Sequence, residues 1–216
     1  LRSIISIRGY YLLTIFKKCG KPKVAHNLGK AIVPFLLLML LAFLALYKFS
    51  LSCEVGIAYD LPVHNVSTGL DYPTIQMAIN ADETSNGNVI VVDEGTYYEH
   101  VYVTKSLTII GKNTNTTIVD SGGSFRGFIV NAEKVKITGF TVQNARWAIH
   151  LNFSNEAHIY GNRIRKSDIG IHLEHANNNT ILGNLIEDIN LEGEGIFLGE
   201  AENNVIQRNL IMNAYY

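Results

Sequence analysis

From residue 135 onward, apolar and polar residues recur on two scales. Within runs of three to five residues they alternate, and the runs themselves return every 22 to 25 residues. "VKITGFTVQNARWAIHLNFSNE" (135–156) aligns with "AHIYGNRIRKSDIGIHLEHANN" (157–178). It also aligns with "NTILGNLIEDINLEGEGIFLGEAEN" (179–203) and the shorter "NVIQRNLIMNAYY" (204–216). Ile137, Ile159, Ile181 and Ile206 form one column, with steps of 22, 22 and 25. Val142, Ile164, Ile186 and Ile211 form a second. Ile149, Ile171 and Ile196 form a third, each followed two residues later by Leu151, Leu173 or Leu198. Asn162, Asn184 and Asn209 make a polar column that Phe140 opens, and "LTIIG" (107–111) anticipates "VKITG" (135–139) at a step of 28.

Strands this short, separated by Gly and Asn, do not suit a sandwich, and no helical segment lies between them for a βαβ unit. The L-x-x-L-x-L pattern of leucine-rich repeats is absent. The pattern predicts an all-β solenoid with coils of about 22 residues, stacked into parallel sheets about 4.8 Å apart. Inside, the Ile, Val and Leu columns form a continuous core. At the turns, asparagine amides bond from coil to coil. Upstream, "DYPTIQMAINA" (71–81) predicts a short amphipathic helix with Pro73 in its first turn and Ile75, Ala78 and Ile79 on one face. "NVIVVDEGTYYEHVYV" then reads as strand interrupted at Asp93-Glu94-Gly95.

Together, "YPTIQMAINA", "VIVVDEGTYYEHVYVTKSLTIIG" and the "GN-x-I" coils resemble right-handed parallel β-helix proteins of the pectin-lyase-like superfamily. The NosD-type, or carbohydrate-binding and sugar-hydrolysis, branch is the most similar, over Asp71 to Tyr216. The resemblance implies that Thr74, Ile75, Gln76, Ala78 and Ile79 cap the solenoid, and that Gly95-Thr96-Tyr97 forms a turn with Glu94 replacing a proline. It implies fold more than chemistry, because the superfamily holds lyases, hydrolases, esterases, epimerases and binders. The chain stops partway through a coil, so a fragment of a longer β-helix is expected.

Before the repeats the composition changes. "AIVPFLLLMLLAFLALY" (Ala31 to Tyr47) is 17 residues without a charge, between Lys30 and Lys48. As a helix it would measure about 26 Å, the short limit for a bilayer span. The expected organisation is a basic cytoplasmic segment (1–30), a transmembrane helix or signal anchor (31–50), a polar linker (51–70) and the β-helix (71–216). Residues 1–53 carry eight Lys or Arg and no acid, which places the N-terminus in the cytoplasm and the solenoid outside it. Cleavage near Ser52, releasing the domain, is the alternative. Cys19 and Cys53 flank the apolar run and are not expected to pair. Four sequons, at Asn65, Asn115, Asn152 and Asn178, fit export. The remaining residues hold ten basic and nineteen acidic side chains, a net of −9, which argues against nucleic acid as a partner.

Three kinds of chemistry are open to the solenoid. His150, His172, Glu174 and His175 are candidate metal ligands. Alternation turns the first two histidines outward, stacked one above the other on the solvent face with Phe197 next in the column. Imidazole with carboxylate suits zinc or copper, and the NosD resemblance implies copper. Asp168, Asp188, Glu192 and Glu194, with Arg163 and Arg165, are the catalytic candidates, near a three-residue insertion in "NLEGEG" (190–195). Paired carboxylates would serve glycoside cleavage, and calcium with an arginine would serve polysaccharide elimination. Arg163-Ile164-Arg165 only faintly resembles the "RIK" of polygalacturonases, and no complete catalytic signature is present. Tyr97, Tyr98, Tyr102, Trp147 and Phe153 offer faces for sugar rings, with Trp147 expected to pack rather than bind. The leading expectation is a membrane-anchored surface scaffold or carbohydrate-binding module. A polysaccharide lyase or glycoside hydrolase with its site partly outside this chain, and a NosD-like copper accessory protein, are the alternatives.

Overall fold

The computed structural model describes residues 61–123 and 125–213, together with Met39. The predicted span Ala31–Tyr47 otherwise lies outside the described residues. Among the described residues no helix is long and apolar enough to cross a membrane.

The solenoid opens with two short strands, β1 (Val63–Asn65) and β2 (Leu70–Tyr72), and one helix, α1 (Ile75–Asn80). Six coils follow. The first is β3 (Val89–Val92), β4 (Gly95–Tyr97) and β5 (Val101–Val103), and the second is β6 (Thr108–Gly111), β7 (Thr117–Asp120) and β8 (Arg126–Val130). In the third, β9 (Lys136–Thr138) leads into the long β10 (Thr141–Asn152). The fourth repeats this with β11 (His158–Tyr160) and β12 (Arg163–Glu174). The fifth is β13 (Thr180–Leu182), β14 (Leu185–Glu187) and β15 (Glu194–Gly199), and the last is β16 (Val205–Gln207) and β17 (Leu210–Met212). Parallel pairing from coil to coil produces one sheet of β3-β6-β9-β11-β13-β16. The second runs β4-β7-β10-β12-β14-β17, and a third, β5-β8-β10-β12-β15, uses the far halves of the long strands.

The expected columns hold in register. Ile137 pairs with Ile159, Ile159 with Ile181 and Ile181 with Ile206. Val142, Ile164, Ile186 and Ile211 pair in the second sheet, and Ile149, Ile171 and Ile196 in the third. Ile109 sits over Ile137, as the 28-residue step requires. These side chains form one buried core, to which Phe128 and Phe140 contribute an edge-on aromatic pair 5.3 Å apart.

Positive-φ residues turn the chain at repeated phases. One corner is Lys134, Glu156, Asn178 and Asn203, and another is Asn144, Lys166, Asp188 and Asn213. A third is Gly139, Gly161 and Gly183, with Arg208 following at the same phase. At Gly139 both constraints of glycine apply: φ is +80°, and a Cβ would run into the backbone of Gly111 in the coil below.

The entrance differs from expectation. The polar stretch read as a linker contributes β1, which pairs antiparallel with β3, and β2, which pairs antiparallel with β1. The helix is correspondingly shorter, beginning after Pro73. Thr74 caps it by accepting from Met77 N at 3.1 Å, and Glu99 accepts from Ile75 N and Gln76 N at 3.0 and 2.9 Å. Ile75, Ala78 and Ile79 are buried as predicted and close the core at this end. Asn65 is fully buried and donates to Thr84 Oγ1 and Asn88 Oδ1, so that sequon is closed to a glycan in the folded domain. Asn115 and Asn178 are exposed, and Asn152 is half-buried. At the other end, Ile206, Leu210, Ile211 and Met212 of the sixth coil are exposed.

Candidate functional site

Four coils of the third sheet bring Ile129, His150, His172 and Phe197 into one outward column. Alternation correctly predicts that the histidines leave the core side, but the expectation that they face solvent does not hold. His150 and His172 are 3% and 6% exposed. Trp147, three residues before His150, is half-buried and folds its indole across both rings. Its centroid lies 4.7 Å from His150 and 4.3 Å from His172, edge-on to each. The imidazoles stack on one another at 4.9 Å, and Phe197 closes the column 4.8 Å beyond His172. Trp147 therefore packs, as expected, but on the outer side of the sheet, beneath the Arg126 guanidinium at 4.2 Å.

Glu174 lies beside this column, one coil above Asn152. Its Oε2 accepts from His150 Nε2 at 3.1 Å. One ligand atom each from His150, His172 and Glu174 fall within 4.8 Å of one another. His150 Nδ1 and His172 Nδ1 are buried without a hydrogen-bond partner. Burial chiefly, with the charges of His172 and Arg126, pushes the His150 pKa down to about 4, against the opposing pull of Glu174. Burial likewise lowers that of His172, opposed by Glu174 and Glu194 and reinforced by Arg126. Both rings are therefore neutral at pH 7, the protonation state a metal ion requires. His175 stands apart. It occupies a positive-φ corner, stacks on Phe153 at 4.7 Å and faces Glu200 across 3.2 Å.

The carboxylate and arginine candidates are engaged in ties between coils. Asp168 accepts from Asn190 at 2.7 Å and Asp188 from Asn213 at 3.1 Å. Arg163 pairs with Glu187, and Arg165 donates to Gln143. Glu192 and Glu194 are exposed at the insertion, where Leu191 projects into solvent. Among the aromatic candidates, Tyr97 is only 7% exposed, a core residue whose hydroxyl donates to Asp93 O. Tyr98, Tyr102 and Phe153 are exposed, as is Phe125, which the sequence pattern did not single out.

The six-coil architecture is that of a parallel β-helix of the pectin-lyase-like superfamily. Residues 78–216 match the family described as periplasmic copper-binding protein (NosD), and the chain belongs to it. A cell surface glycoprotein of Methanothermus fervidus is 34% identical over 186 residues, covering 82% of this chain. The chain spans 30% of that relative's length. Among solved structures, a pectin methylesterase variant in complex with a hexasaccharide superposes with a TM-score of 0.37 at 13% identity, covering 62% of this chain and 64% of the other.

Copper is the ion named in the family's description, and the residues present fit such an ion. Two neutral imidazoles and one carboxylate are a donor set suited to copper or zinc. The unpartnered ring nitrogens show that protein bonding does not exhaust the histidines' capacity. Calcium, which seeks six to eight oxygens, does not suit this histidine-rich grouping.

Proposed function

We propose that this chain is an extracytoplasmic β-helix module of the cell envelope, a stiff scaffold that contacts carbohydrate through the aromatic side of its third sheet. One observation carries the reading. Tyr102, Phe125, Phe153 and Phe197 are all exposed along β5, β8, β10 and β15 or at their ends, on the first, second, third and fifth coils. Flat apolar rings fixed on a rigid sheet suit the C–H faces of sugar rings and lose little conformational freedom on binding. The periplasmic family description and the cell-surface relative support an extracytoplasmic location. The apolar run Ala31–Tyr47 supports attachment to a membrane.

The test is retention of the chain on isolated envelope polysaccharide, compared with a Tyr102→Ala, Phe125→Ala, Phe153→Ala triple variant. The wild type is expected to be retained, and the variant to lose at least tenfold in affinity with its circular dichroism unchanged. Equal retention of the two proteins, or no retention of either, would overturn the reading.

A further inference from the structure

We infer that His150, His172 and Glu174 form a three-ligand site for a single divalent copper ion, roofed by Trp147 and with one coordination position left open beside Gly199. This goes beyond the carbohydrate reading and does not depend on it.

Folding strips water from two imidazoles and leaves the Nδ1 of each without a partner, although buried polar atoms are almost always bonded. Elsewhere in the same solenoid, buried amides are fully used. Asn184, for example, accepts from the amides of Asn162 and donates to Ile159 O and Asn209 Oδ1. The histidine column thus differs from the asparagine column, and it supplies two of the five buried side-chain atoms left unbonded among the described residues, with Tyr72 Oη, Ser121 Oγ and Arg126 Nε the others.

Bonds of about 2.0–2.2 Å to each ligand require donor atoms roughly 3.3 Å apart. The donors already lie within 4.8 Å of one another, with His150 Nε2 and Glu174 Oε2 at 3.1 Å, and the Glu174 side chain, 43% exposed, has room to adjust towards His172. Trp147 and Phe197 pack against the imidazoles and keep them on the same side of the sheet as Glu174.

The open position follows from the next coil. Gly199 pairs with Glu174 in register, so no side chain stands above the carboxylate. A Cβ built there would come within 3.9 Å of His172 Nε2 and 3.2 Å of the Phe197 ring. The space that a larger residue would fill is therefore available to a water molecule or an exchanging ligand. Arg126 opposes cation binding from the Trp147 side, while Glu174 and Glu194 offset it. Among divalent ions, copper binds nitrogen and oxygen donors most strongly, ahead of zinc.

Trp147 supplies the test, because it is the only tryptophan in the chain and its ring lies against both histidines. The full chain, solubilised in detergent, is titrated with Cu2+ while tryptophan emission is followed. Emission is expected to fall by more than half and to saturate at one equivalent. Zn2+, which does not quench, should restore it by competition. Glu174→Gln preserves size at a half-exposed position and should weaken copper binding about tenfold or more, and His172→Ala should remove the quenching. Emission that ignores a hundredfold excess of Cu2+ would overturn the site, as would quenching of equal affinity in wild type and Glu174→Gln. The latter comparison decides the matter even if His172→Ala fails to fold.

Discussion

Two polar columns run along this solenoid in similar settings, and they are built in opposite ways. The Asn162–Asn184–Asn209 column lies at a turn, where every amide oxygen accepts from the coil before and every amide nitrogen finds a carbonyl. The His150–His172 column lies on the third sheet, equally buried, with one ring nitrogen of each histidine unbonded. The asparagine column contributes stability because the groups it desolvates are all repaired. In the histidine column a cost is retained, and what the rings offer is free donor capacity. Repetition alone does not separate structural polar residues from functional ones; their hydrogen bonding does.

The comparison is most sharply broken at Asn184. Replacing it with Leu takes the side-chain acceptor from Asn162 N and the side-chain donor from Ile159 O inside the core, while Asn209 Oδ1 keeps only its bond from the backbone N of residue 184. A loss of about 3 kcal/mol or more is expected, measured as a shift in the denaturation midpoint at unchanged slope.

The second test is acid. His150 and His172 have pKa values below the ordinary 6.5, so as pH falls the unfolded chain takes up protons before the folded one. Their contribution is complete above pH 6.5 and declines toward pH 4, by on the order of 2 kcal/mol. His64 acts in the opposite sense. Its bond to Asp71, with help from Asp93, raises its pKa, so its contribution is present below 6.5 and is lost as pH rises through the raised value. Chemical denaturation at pH 7 and pH 4.5 should show net acid destabilisation, flattened in His150→Leu. Profiles of equal slope would contradict the assigned burial.

The third test reverses the sign expected at Asn184. Metal-free His150→Leu should be neutral or stabilising by about 1 kcal/mol, because it removes an unbonded polar atom and leaves Glu174 to solvent. A melting curve without metal and with chelator measures this. The smallest effect belongs to the Lys134–Glu156 pair, 3.8 Å apart and well exposed, where Lys134→Ala should alter stability by less than about 0.5 kcal/mol.

Much of the fold was legible because it is written twice, once as alternation within strands and again as the coil period. Ile137, Val142 and Ile149 each predicted a neighbour that the register supplies. What was missed lacked one of those signals. The strands "VHN" and "LDY" carry too few apolar residues to alternate, and they form by pairing, the first against β3 and the second against the first. A second asparagine ladder, in which Ala157 N and Asn179 N donate to Asn179 and Asn204, was hidden in the Asn-rich turns. At the histidines, alternation gives the side of the sheet but says nothing of what lies over it. Only the fold of Trp147 across its neighbours turns an outward pair into a buried one.

One irregularity has a practical meaning. The fifth coil is longer, yet Asn190 N still bonds Ser167 O, and Glu194 resumes pairing opposite Ile169. Leu191 to Gly193 are absorbed at a single corner without moving the columns on either side. Length is therefore a free variable at this corner, whereas it is fixed along the strands. Sequence added at the exposed Leu191 and Glu192 would be displayed by the solenoid without being read by its core, which makes them the natural graft point for a loop or an epitope, whereas Gly193, where a Cβ would meet Asp168 O, has to stay.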